Sequence, residues 1–147
     1  MNEENVLKMF LRIVTDYDYL SYEDVSDEKF IEEEFNDILS MAVAEVQMQG
    51  VLEENSYDPD LGGFMDELTV KEVYILAYAS VLVWLTPKVN SAEMLAAQLT
   101  STDFTQFSNA NRLNACMKLY HQCEAKLNNL ILDYDKSKQM SELREEL

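Results

Sequence analysis

Chain-breaking residues are scarce here: three glycines and two prolines in 147 positions. Their scarcity excludes collagen-like and low-complexity sequences. It also disfavours many-turned β architectures, which need turn residues every few positions. Histidine occurs once and cysteine twice, and there is no Gly-rich phosphate loop, HExxH or CxxC. The residue combinations behind the commonest nucleophilic, phosphoryl-transfer and zinc sites are therefore missing, and we expect no enzyme, no cofactor and no metal. Bases are few as well, eleven Lys and Arg against 28 Asp and Glu, for a net charge of −17. A surface of that sign repels nucleic acid and anionic membrane and attracts basic protein surfaces. The opening MNEENVLKMF has no basic leader region, so no signal peptide is expected. The longest apolar run, Val73–Leu85, is short for a bilayer and suits a buried core helix. The chain reads as intracellular and soluble.

What is present is a core. Hydrophobic residues make up 48% of the chain, and a single domain of this length buries roughly 70% of its unfolded surface. The charge is uneven. Residues 1–70 carry nineteen acids against Lys8, Arg12 and Lys29, whereas residues 71–147 carry nine acids against eight bases.

Periodicity predicts an all-α bundle of about five helices. The first spans roughly Glu3 to Thr15, with Val6, Met9, Phe10, Ile13 and Val14 on one stripe. The second repeats Phe30, Ile31, Phe35, Ile38, Leu39, Ala42 and Val46 at threes and fours. Ser26 or Asp27 suits its N-cap, and Gly50 suits the left-handed position after its end. A long acidic loop, 51–67, contains Asn55, Ser56, Asp58, Pro59, Asp60, Gly62 and Gly63; loops of that length are usually functional or mobile. The third helix opens on a capping box, Thr69 with Glu72, and a staple, Leu68 with Val73. Its body is apolar nearly all round, so it belongs at the centre of a bundle or under another subunit. Pro87 is expected to end it. A second box, Asn90 with Glu93, predicts a short fourth helix over about 91–99, and 100–107 reads as a polar linker. The fifth helix runs from a Ser108 cap to about Leu132 on the stripe Leu113, Cys116, Met117, Tyr120, Cys123, Leu127, Leu130, Ile131 and Tyr134. The single domain is expected to close at 135, leaving 136–147 as a flexible or partner-ordered tail.

Cys116 and Cys123 lie two turns apart, too far to bridge within one helix, and read as small apolar core residues. His121 is two residues from Cys123 and points elsewhere. Asp16, Asp18, Glu23, Asp24 and Asp27 invite a calcium reading. With Asp16 as first ligand, however, Ser21 falls where the loop needs glycine, so this is not an EF-hand. The acidic positions Glu28, Glu32, Glu33, Glu34 and Asp37 form either a solvated face or an electrostatic surface. Such a surface imitates DNA towards a DNA-binding protein or lines a passage along which DNA slides without sticking. Interface candidates are Tyr17, Tyr19 and Tyr22 beside the first turn, Asp58 and Asp60 in the loop, Phe104 and Phe107 before the fifth helix, and Met140, Leu143 and Leu147 on the weakly amphipathic tail.

The second half carries a recognisable order of features. A capped apolar helix runs from Leu68-Thr69-Val70-Lys71-Glu72 to Val83-Trp84-Leu85-Thr86-Pro87. An Asn-containing short helix follows, then Ser101-Thr102-Asp103-Phe104, Phe107-Ser108-Asn109-Ala110-Asn111-Arg112-Leu113, and a long helix closing with Leu132-Asp133-Tyr134. This order, with the Tyr17-to-Asp27 acidic turn before an amphipathic helix, resembles small helical head–tail connector (adaptor or neck) proteins of tailed bacteriophages infecting Gram-positive bacteria. The resemblance implies a structural virion protein, made in the host cytoplasm and carried in the particle. It would form a ring between portal and tail, touch the portal protein and neighbouring neck or tail proteins, extend the DNA conduit, and bind neither DNA stably nor membrane. The strong acidity of the first half departs from that pattern. It leaves a second reading open, an acidic inhibitor that imitates DNA in the groove of a host DNA-binding protein.

Overall fold

A computed structural model describes residues 2–15, 34–58, 60, 63–98 and 104–146, with side chains at all of these except 15, 88, 91–98 and 104–113. Among the described residues the protein is all-α apart from one two-residue strand pair. The elements are α1 (Asn2–Thr15), α2 (Phe35–Met48), β1 (Tyr57–Asp58), β2 (Gly63–Phe64), α3 (Val70–Gln98) and α4 (Phe104–Glu146).

α3 is the hub, packing against α1, α2 and α4. Its apolar circumference explains this: Ile75, Leu76, Ala77, Ala79, Val81, Trp84 and Leu85 are buried, so three neighbours are needed to cover it. α1 contributes Val6, Phe10, Ile13 and Val14, and α2 contributes Phe35, Leu39, Ala42, Val43 and Val46. α4 adds Cys116, Leu119, Cys123, Leu127 and Ile131 at helical spacing. Phe10 sits at the junction, 5.4 Å from the Phe35 ring and edge-on to Trp84 at 5.8 Å. The helix that sequence periodicity left open to another subunit is thus covered over most of its girth by its own chain. Among its described side chains, the exposed large hydrophobics are Val70, 74% exposed, and Tyr74, 37% exposed. The window Val70–Pro87 is long and apolar enough to cross a bilayer by length and composition, but it is this core helix.

The expected caps form. Thr69 N–H donates to Glu72 Oε1 at 2.8 Å and Glu72 N–H to Thr69 Oγ1 at 3.2 Å, which completes the capping box. After α2, Gly50 takes φ +84°. The Gly50 amide reaches Gln47 O at 3.1 Å and the Val51 amide reaches Val46 O at 2.9 Å, the paired bonds of a Schellman ending.

Three expectations fail. α3 does not stop at Pro87 but passes through it to Gln98, so the predicted third and fourth helices are one and Asn90 lies inside it rather than at a cap. Trp84 and Leu85, buried just upstream, hold that turn in register. The Thr86 hydroxyl also takes the Leu82 carbonyl at 2.7 Å beside the break. Packing outweighs the missing proline N–H. Of the linker expected over 100–107, residues 104–107 are instead the first turn of α4, and 100–103 lie outside the described residues. α4 then runs past the expected helix end at Leu132, because no Gly or Pro interrupts 114–146 and strong helix formers fill it. The proposed Ser26 or Asp27 cap and the Asp16–Asp27 acids lie outside the described residues.

Candidate functional site

The segment 51–69 is pinned on several sides. Tyr57 and Phe64 pair across the strands, rings 4.7 Å apart. The Tyr57 hydroxyl lies 3.2 Å from Ser40 Oγ. Because the Ser40 hydroxyl donates to Asn36 O at 2.9 Å, the proton between them comes from Tyr57. Asn2 clamps the other end, its Nδ2 donating to Asp66 O at 3.0 Å and its Oδ1 accepting the Leu68 amide at 3.2 Å. Gly63 takes φ +103°, which favours glycine; a Cβ there would meet only the Glu3 carboxylate, the far end of a flexible side chain that can move aside.

Of the interface candidates in this segment, Asp58 is half-buried and accepts the Asp60 amide at 2.9 Å; its carboxylate shapes the turn, while Asp60 is exposed. Met140 and Leu143 are exposed on the last turns of α4, at 55% and 56%. From Lys136 to Glu146 every residue of that helix is exposed. Phe104 and Phe107 fall in the first turn of α4, whose side chains are outside the described set. Tyr17, Tyr19, Tyr22 and Leu147 lie outside the described residues altogether.

Of the acidic face, Glu34 and Asp37 are exposed at the start of α2, and Glu28, Glu32 and Glu33 lie outside the described residues. Further along the same side stand Met41, 60% exposed, and Met48, 79% exposed, with Ala44 and Glu45 between them. The signal was in the sequence, since both methionines fall off the apolar stripe that faces α3.

Sequence reasoning also missed a groove of about 420 Å³ between α1 and the start of α3. Its floor is Met9, Leu68, Val70, Val73 and Tyr74, and Lys8 and Arg12 line it. A smaller cavity of about 270 Å³ joins the 51–69 segment to the α3–α4 pair. There the Tyr134 hydroxyl donates to Glu72 Oε2 at 3.2 Å; the same two helices are also joined by Lys71 Nζ, which donates to Ser137 Oγ at 3.1 Å. Burial, then the Glu72 carboxylate, raises the Tyr134 phenol above its usual range, while the Leu52 backbone N–H opposes them. Leu52 itself stands at φ +69°, unusual for a bulky side chain.

Burial pushes the Cys123 thiol up to about 12, so it stays protonated and is a poor nucleophile. His121 is exposed, edge-on to Tyr120 at 5.8 Å. Among the described residues no group of three or more His, Cys, Asp or Glu is placed to hold a metal. Comparison with protein-family models, curated proteins and solved structures finds no match to the chain.

Proposed function

We propose that this protein is a non-catalytic assembly subunit of the phage head–tail junction. It would be a ring-forming adaptor that joins portal to tail and extends the DNA conduit, turning its acidic first half towards the passing duplex. The reading is carried by the charge distribution: nineteen carboxylates against three bases in residues 1–70. Such a wall repels the phosphate backbone and keeps DNA moving. The exposed apolar side chains Val70, Tyr74, Met41, Met48, Met140 and Leu143 support it as well, since assembly subunits need surfaces for neighbours. The protein would be made in the host cytoplasm and end in the virion.

The test is mass spectrometry of purified particles together with co-sedimentation of the pure chain with portal oligomers. The expected outcome is the chain present in multiple copies per particle and bound to the portal. One-to-one binding to a host DNA-binding protein, weakening steeply with salt, would instead establish the DNA-imitating reading. Retention of duplex DNA at ordinary ionic strength would exclude both.

A further inference from the structure

The outward side of α2 and the α1–α3 groove match each other. On α2, Asp37, Met41, Ala44, Glu45 and Met48 are all exposed and fall at helical spacing on one side. A face meant only for water gains nothing from two methionines, whereas methionine is the residue of adaptable binding surfaces. The groove has the opposite sign. Lys8 and Arg12, two of the three bases in residues 1–70, border an apolar floor that includes the exposed Val70 and Tyr74.

We propose that the α2 stripe of one copy docks into the α1–α3 groove of a second copy. Met41 and Met48 cover Val70 and Tyr74, and Asp37 and Glu45 meet Lys8 and Arg12. The two surfaces are opposite in charge, both carry apolar side chains, and they match in length. Met41 to Met48 is one heptad, and so is Asn5 to Arg12 along the groove, each about 10 Å. Lys8 already holds Glu4 at 3.2 Å, but their side chains are 70% and 63% exposed, so the pair exchanges for an incoming carboxylate at little cost. Glu67, also in the lining, disfavours acid at its own end and leaves the Lys8–Arg12 side to receive it.

Stripe and groove are different surfaces. α2 buries Phe35, Leu39, Ala42, Val43 and Val46 and leaves Asp37, Met41, Ala44 and Met48 exposed, with Glu45 at the stripe's edge where a cavity opens between α2, α3 and α4, while the groove lies between α1 and α3. The contact is therefore head to tail. A pair leaves one stripe and one groove unfilled, so growth continues to a ring or a filament. This deepens the adaptor reading and rests on it for its biological setting.

Sedimentation velocity of the pure full-length chain tests the contact, across roughly 1 μM to 1 mM, where an interface of modest area associates. The expected result is assembly beyond the dimer. The doubly substituted Met41→Glu/Met48→Glu and Lys8→Glu/Arg12→Glu chains should each associate at least roughly tenfold more weakly. An equimolar mixture of the two should form dimers and stop, because each retains the surface the other has lost. Circular dichroism checks that the variants fold. Should either lose helix, Met41→Gln/Met48→Gln and Val70→Ser take their places with the same expected direction.

A monomer throughout the range, a wild-type assembly that halts at the dimer, or assembly indifferent to both pairs of substitutions overturns the proposal. Self-association without portal binding keeps the contact and removes the neck assignment. Portal binding by a chain whose stripe and groove variants assemble normally does the reverse.

Discussion

Glu72 ties three parts of the molecule together, and removing its side chain should show how much. One oxygen accepts the Thr69 amide at 2.8 Å, half of the box that starts α3; the other accepts the Tyr134 hydroxyl at 3.2 Å, which fastens α4 to that start. In Glu72→Ala the lost cap contact costs about 1 kcal/mol. A hydrogen bond to a half-buried carboxylate adds about 1.5 kcal/mol, and the better helix propensity of alanine returns a few tenths. The net loss of about 2 kcal/mol corresponds to a fall in Tm of about 4–8 °C for a chain of this size, read by thermal or urea unfolding. Tyr134→Phe alone should cost about 1 kcal/mol, and the double variant should fall short of the sum by about the same amount.

Glu72→Gln separates charge from geometry, since the amide keeps a cap acceptor and a partner for the phenol. The Tyr134 titration, followed by NMR of labelled tyrosine rings, should drop towards the ordinary range in that variant, because the Glu72 charge helps raise it. The sign of the stability effect follows. A phenol whose folded pKa lies above its unfolded value near 10 contributes stability that is complete below that value and is lost as pH rises through the folded one. Glu72→Gln should therefore flatten the alkaline decline. Additivity of Glu72→Ala and Tyr134→Phe within about 0.3 kcal/mol, or an unmoved Tyr134 titration in Glu72→Gln, would refute the coupling.

Pro87→Ala should stabilise the protein by about 1–3 kcal/mol in urea titration, since it restores an amide donor inside α3 and removes a ring from the helix interior. Gly50→Ala should cost about 1 kcal/mol from its φ of +84° alone, because nothing lies within 4 Å of the added methyl; Gly50→Asn should cost less. With its thiol raised by burial from 9.0 to about 12, Cys123 favours the folded state fully below pH 9, and that contribution falls away at up to about 1.4 kcal/mol per pH unit towards pH 12. Cys123→Ala should lessen the alkaline slope in a pH series of urea midpoints, and the native thiol should resist disulfide-exchange reagents at pH 8 until the chain unfolds.

The all-α class, the stripes of α1, α2 and α4, the capping box at Thr69 and the Schellman ending at Gly50 were legible in the sequence. Each is a local property, a helical spacing or a cap residue whose bond partners lie within a few positions. So was the need to cover α3, because a helix apolar nearly all round belongs at the centre of a bundle or under another subunit. What surrounds it was not legible. Periodicity shows that a face must be covered but not by which element, and the fold gives that task to α1, α2 and α4 of the same chain. The passage of α3 through Pro87 was decided by the burial of Trp84 and Leu85, with Trp84 edge-on to Phe10, more than seventy positions away in the chain. The Asn2 clamp on 66–68 and the Glu72–Tyr134 tie belong to the same kind. The groove with Lys8 and Arg12 exists only because α1 lies beside the start of α3. The sequence by itself showed that this chain is mostly helical, which apolar stripes and caps it carries and how its charge is divided, but not where α3 and α4 begin and end. Which apolar faces are spent inside and which remain for neighbours was decided only by tertiary structure, because burial depends on contacts between residues far apart along the chain.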